Sequence, residues 1–64
     1  MITLGELLDM ASIQDEYVIR MNNGKNVVRI RDVDKIPPEL NDYKVVKLYG
    51  YNAEGYDGLE VTII

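Results

Sequence analysis

Apolar residues recur along this chain with two different periods, and each period names an element. Near the start, Leu4, Leu7, Leu8 and Ala11 fall at helical spacing with Glu6 and Asp9 on the wetter side, the stripe that an amphipathic helix buries. Thr3 and Glu6 stand at the N-cap and N3 positions of that helix, a capping-box pattern, and Ile2 and Leu7 are placed for a hydrophobic staple. Gly5 weakens the first turn by roughly 0.5–1 kcal/mol relative to Ala. The spacing predicts one helix from Leu4 to Ser12, too short to stand alone in water. Its leucine stripe needs a sheet to lie on.

From Glu16 the period drops to two. Asn22-Asn23-Gly24-Lys25 is a hairpin signal, because Asn-Gly at the central positions favours a type I′ turn with φ > 0 at both. That turn sets Met21 opposite Asn26, Arg20 opposite Val27 and Ile19 opposite Val28. Further out it sets Val18 opposite Arg29, Tyr17 opposite Ile30 and Glu16 opposite Arg31. Alternate residues of a strand point to opposite faces. One face is therefore apolar, with Tyr17, Ile19, Val28 and Ile30, and the other, with Glu16, Val18, Arg20, Val27, Arg29 and Arg31, is largely cationic.

The stretch from Asp32 to Asp42 breaks the alternation. Pro37 and Pro38 donate no ladder hydrogen bonds, which excludes a central strand, and a single helical turn over Pro37 to Leu40 is expected instead. Tyr43 to Tyr51 is rich in Val and Tyr and predicts a third strand. Leu59, Val61 and Ile63 alternate with Glu60 and Thr62 in a fourth, Leu59 to Ile64. Between them, Asn52-Ala53-Glu54-Gly55 resembles a type I turn closed by a left-handed glycine, a three-residue loop. Taken literally, that loop pairs Tyr49 with Leu59 and puts Lys47 on the apolar face. A bulge at Gly58 pairs Leu48 with Leu59 instead and turns Val46 and Leu48 inward, and this is the arrangement expected. The fold class is α+β: a two-layer single domain over residues 1–64, one N-terminal helix packed on a four-stranded, mainly antiparallel sheet. The long link between the hairpins leaves strand order open between a meander and a crossover to the far edge.

Composition narrows the chemistry. The 64 residues include neither Cys nor His, so a disulfide framework, a zinc site and a Ser/His/Asp or Cys/His nucleophile are excluded. Ser12 is expected to end the helix or cap a turn. Asp32, Asp34, Glu39 and Asp42 lack the spacing of a calcium loop, and Gly50, Gly55 and Gly58 precede a strand rather than the helix that a phosphate loop needs. No enzyme activity, metal or cofactor is expected. The net charge of −4 argues against duplex DNA and anionic membrane as partners. With no stretch of spanning length and no signal-peptide pattern, and with Met at its start, the chain reads as a complete cytoplasmic product.

The second sheet face is the candidate site. With Val46 and Leu48 inward, Tyr43, Val45, Lys47, Tyr49 and Tyr51 point outward and join Arg20, Arg29 and Arg31. Arg20, Arg29, Arg31, Lys47, Tyr49 and Tyr51 are the candidate binding residues. Tyr and Arg are favoured anchors of protein interfaces, and a Tyr/Arg sheet can also stack bases or hold phosphates. Val18, Val27 and Val45 on the same face are expected to be exposed, which adds to the case for a protein contact.

Three stretches together carry a resemblance: the opening Met1-Ile2-Thr3-Leu4-Gly5-Glu6-Leu7-Leu8 helix, the Asn-Gly hairpin, and the Lys35-Ile36-Pro37-Pro38-Glu39-Leu40-Asn41-Asp42 link before Lys44-Val45-Val46. Over most of its length the chain resembles small uncharacterised accessory proteins of phages and integrated elements of Gram-positive bacteria. The resemblance rests on structural motifs and transfers no functional residue. It implies a non-enzymatic binding protein, an anti-defence or accessory factor that inhibits a host protein by occupying its surface in the host cytoplasm. Two alternatives are a small-nucleotide-sequestering protein that uses the Arg/Tyr face, and a structural homo-oligomer.

Overall fold

The computed structural model of the chain describes residues 1–24 and 27–64, Val27 by its backbone alone. Helix α1 is Leu4–Met10, and its capping box is formed. The Glu6 N–H donates to Thr3 Oγ1 at 3.2 Å, and the Thr3 N–H donates to Glu6 Oε1 at 2.9 Å. The Thr3 N–H first, and then the Thr3 hydroxyl donating to the same oxygen at 3.1 Å, hold the Glu6 carboxyl below its ordinary pKa. The next N-terminal donors go to the inter-hairpin link: Leu4 N–H to Tyr43 O at 2.8 Å and Gly5 N–H to Asn41 O at 3.0 Å. A Cβ on Gly5 would stand 3.1 Å from Asn41 Cβ, so the glycine that weakens the first turn also lets the link approach it. The helix stops short of the expected Ser12, because Ala11 is already extended.

The strands are β1 (Glu16–Met21), β2 (Val27–Ile30), β3 (Val45–Ala53) and β4 (Tyr56–Ile63). The first hairpin has the register expected from its sequence, Tyr17 opposite Ile30 through Arg20 opposite Val27. The expected Met21–Asn26 pair, Lys25 of the turn and the Val27 side chain lie outside the described residues. The turn itself differs from expectation. Gly24 N–H donates to Met21 O at 2.8 Å, and Gly24 has φ 77° while Asn23 is not in the left-handed region. The bond spans Met21 to Gly24, so the chain reverses through Asn22 and Asn23, and among the described turn residues the left-handed conformation falls to Gly24. A type I′ turn does occur, in the second hairpin. Glu54 (φ 52°) and Gly55 (φ 86°) form a two-residue loop with Ala53 opposite Tyr56.

That tight turn resets the second hairpin. Leu48 faces Val61, Tyr49 faces Glu60 and Tyr51 faces Gly58, and the register shift falls between Val45 and Lys47. Both pairings considered from the sequence are therefore corrected. The loop has two residues, not three, and the bulge inserts Val46 into β3 with none at Gly58.

The sheet order is β2-β1-β4-β3, with both hairpins antiparallel and β1 parallel to β4. The link thus carries the chain from one edge to the other, and the second hairpin folds β4 back into the middle. Two 3₁₀ turns pace the link, Val33–Lys35 and Pro38–Leu40. Asp32 caps the first, accepting from the Asp34 N–H at 2.9 Å, so the acidic stretch serves turn formation. Among the described residues no group of three or more acidic side chains converges on a metal position, and no helix is long and apolar enough to cross a membrane.

One buried cluster holds Leu4 and Leu7 of α1, Ile36 of the link, Tyr17 and Ile19 of β1, and Leu59, Val61 and Ile63 of β4. Val28, Ile30 and Val45 pack against it. Val45 is therefore on the core face, opposite Ile63, and not on the outer face where the sequence placed it. Leu48 shares the core side as expected, yet it lies on the edge strand and is 54% exposed.

Candidate functional site

Register alone assembles the other face of the sheet, because paired residues of neighbouring strands share a face. One row across the strands runs Glu16 (β1), Gly58 (β4), Tyr51 (β3). The next runs Arg29 (β2), Val18, Glu60, Tyr49, and a third runs Arg20, Thr62, Lys47. Five of the candidate residues, Arg20, Arg29, Lys47, Tyr49 and Tyr51, thus lie on one face. Arg31 follows β2 and lines an open depression at the sheet's end with Asp15, Gly55 and Tyr56. It does not pair with Glu16, whose cation is Arg29.

Glu16 organises the first two rows. It is 5% exposed, and a carboxylate that dry needs donors around it. Arg29 Nη1 donates to its Oε1 at 2.9 Å, and the Tyr51 hydroxyl donates to the same oxygen at 2.5 Å. Tyr51 reaches Glu16 from two strands away because Gly58 stands between them with no side chain. A Cβ on Gly58 would overlap the Tyr51 ring itself. Glycine in mid-strand marks a place where something approaches the backbone closely, and here that is an aromatic ring. The sequence singled out Gly58 as a bulge. Its position opposite Tyr51 and beside Glu16 was hidden until the second register was known.

Arg20 Nη2 pairs with Glu60 Oε1 at 2.9 Å. Val18 lies between the two ion pairs and is 1% exposed, although it was expected to be open to solvent. The valine on this face is buried under its charged neighbours, whose stems cover apolar surface. Tyr49 and Tyr51 stack along β3 with ring centroids 6.3 Å apart and planes at 20°. Tyr49 stays 61% exposed, and Lys47 is exposed beside it with no ion pair among the described residues. The arrangement therefore presents fixed aromatic surface, two neutralised guanidiniums and one lysine charge.

The bond to Glu16 pushes the Tyr51 phenol up to about 12 from 10.0, with burial and the carboxylate charge adding to the effect. Ionised Tyr51 would donate no hydrogen bond to a carboxylate. A pKa raised on folding contributes stability that is fully present below the unfolded value, near 10, and is lost as pH rises through the folded value, near 12. Absorbance titration should show one tyrosine ionising about two pH units late, a late step absent from Tyr51→Phe. A late step that persists unchanged in Tyr51→Phe would mean that the bond does not form in solution.

No family model, no curated protein and no solved structure matches this chain.

Proposed function

We propose that this chain is a non-enzymatic binding protein, an accessory factor that inhibits a host protein by occupying its surface with the face of Tyr49, Tyr51, Lys47, Arg20 and Arg29. The observation that carries the reading is Tyr49, an exposed ring stacked on a Tyr51 that is itself fixed by Glu16. An aromatic anchor held in place before binding loses little side-chain entropy when a partner covers it, and Tyr and Arg near the centre of a patch are the residues on which interface energy concentrates. The accessory-factor form of the proposal rests on the resemblance of the opening helix, the first hairpin and the Lys35–Asp42 link.

The alternative of nucleotide sequestration finds less support. A phosphate that took both guanidiniums would draw Arg20 from Glu60 and Arg29 from the buried Glu16, and the second exchange strands a dry carboxylate.

The test is capture of a partner from Gram-positive lysate on immobilised protein, followed by titration of the purified partner against wild type and Tyr49→Ala. An anchor at this position predicts affinity lower by roughly thirtyfold or more in the variant. A partner that binds Tyr49→Ala as tightly as wild type would overturn the assignment of the face, and capture of nothing at micromolar bait would overturn the function.

A further inference from the structure

Strand β3 is an edge strand of nine residues, and its outer side is open over a stretch with a defined centre. The Ala53–Tyr56 pair flanks the two-residue turn, so it exchanges hydrogen bonds, and bonded and non-bonded pairs then alternate along the hairpin. Tyr51–Gly58, Tyr49–Glu60 and Lys47–Thr62 are accordingly bonded pairs. The N–H and C=O groups of Leu48, Gly50 and Asn52 point the other way, to the outside. At the start of the strand that side is taken: Thr3 bridges Lys44, and Val45 N–H donates to Ile2 O at 2.9 Å. The edge remaining is Lys47 to Ala53, and its midpoint is Gly50.

Native sheets protect such edges with charge, proline or a bulge. Here the bulge and the Ile2–Thr3 segment guard only the beginning, and Lys47 is the sole charge on the open stretch. Leu48 is 54% exposed there, and nothing lies within 4 Å of where a Gly50 Cβ would be.

We infer that two copies of this chain join through β3, antiparallel about a two-fold axis at Gly50, into one continuous eight-stranded sheet. The choice of a second copy follows from the fit of the strand to itself. Antiparallel pairing about Gly50 sets Gly50 against Gly50, Leu48 against Asn52 and Asn52 against Leu48, so each outward N–H and C=O meets its counterpart. On the outer face, Tyr49 comes to lie opposite Tyr51 of the other copy, and the stacked pair becomes a row of aromatic rings across the axis. Lys47 comes opposite Ala53, a side chain too small to obstruct it, and next to Glu54 of the other copy's turn. The same register runs out where Ile2 and Thr3 already occupy the edge. A strand from an unrelated protein has no reason to match both limits. This pairing does not depend on the proposed partner, since it is read on the pure protein.

The experiment is sedimentation equilibrium on wild type and Gly50→Pro, with oxidative cross-linking of two cysteine variants as the readout of register. Wild type is expected to be a dimer at about 100 µM, where a micromolar association is nearly complete. Gly50→Pro removes an outward N–H, which an edge strand tolerates, and is expected to be a folded monomer by circular dichroism. The chain has no cysteine, so Gly50→Cys gives an unambiguous signal. Opposed Cα atoms stand about 5.5 Å apart, within disulfide reach, and the variant should oxidise to a covalent dimer. Leu48→Cys should not, because its counterpart is offset by roughly 14 Å along the strand. A monomeric wild type at this concentration overturns the inference, and so does a Leu48→Cys variant that cross-links as fast as Gly50→Cys.

Discussion

Leu4→Ala is expected to cost about 3 kcal/mol, within the range of about 2–5 kcal/mol for a leucine lost from a closed core. Leu4 is 0% exposed and shares its cluster with Val61 and Ile63, which are equally buried. It is also the first residue of α1, fixed at its N–H by Tyr43 O and preceded by the Thr3 cap. Those bonds pin the backbone, so the helix cannot slide inward to fill the space and the cavity term stays. A chain of this size has a total stability of only about 3–10 kcal/mol. The variant should therefore keep only about 0–7 kcal/mol, with a melting point lower by roughly 12–24 °C. Urea titration with an unchanged m-value is the measurement. A loss below about 1 kcal/mol would show that α1 is not part of the cooperative core.

The sequence foretold this core through period and capping, signals that are local. Thr3 and Glu6 cap a helix by bonds within one turn, and the first hairpin's pairing follows from turn position and alternation, so both were legible. The second hairpin was not. Asn23-Gly24 carries the stronger type I′ signal, yet the left-handed pair forms at Glu54-Gly55, where a glutamate adopts φ 52°. Turn preference there is overruled by registry. Leu59, Val61 and Ile63 pair β4 with β3 on one side and with β1 on the other, and a looser loop would break one of the two.

Non-local pairing hid the rest of the candidate face as well. Alternation in the sequence put Arg20, Arg29, Lys47, Tyr49 and Tyr51 on one face, as the register does, since two errors, in loop length and in bulge position, offset each other from Lys47 onward. It could not show that Glu16 and Glu60 neutralise Arg29 and Arg20, because those contacts cross strands whose order was open. Val18 looked exposed for the same reason. Whether a valine on an outer face is dry depends on what the neighbouring strands place around it. Arg31 was grouped by extending a register that ends at Ile30.

Gly58→Ala is expected to destabilise the protein by about 2–3 kcal/mol, through overpacking and the loss of a hydrogen bond to a charged group. The added methyl occupies the place of the Tyr51 ring, so the ring must lift and its hydroxyl must leave Glu16. Among the described residues Glu16 would then keep only Arg29, whose side chain is 59% exposed. The same substitution made in a Tyr51→Ala background should reverse sign. Gly58 does not have a positive φ, the three atoms nearest the new Cβ all belong to the Tyr51 side chain, and alanine restricts the unfolded chain more than glycine, a gain of about 0.4–1 kcal/mol. The coupling in the double-mutant cycle should therefore exceed about 2 kcal/mol, large for a pair on a sheet surface. Additive effects of the two changes would mean that Tyr51 does not rest on Gly58. The stacked tyrosines would then lose their fixed geometry, and with it the argument that Tyr49 is an anchor set in place before any partner arrives.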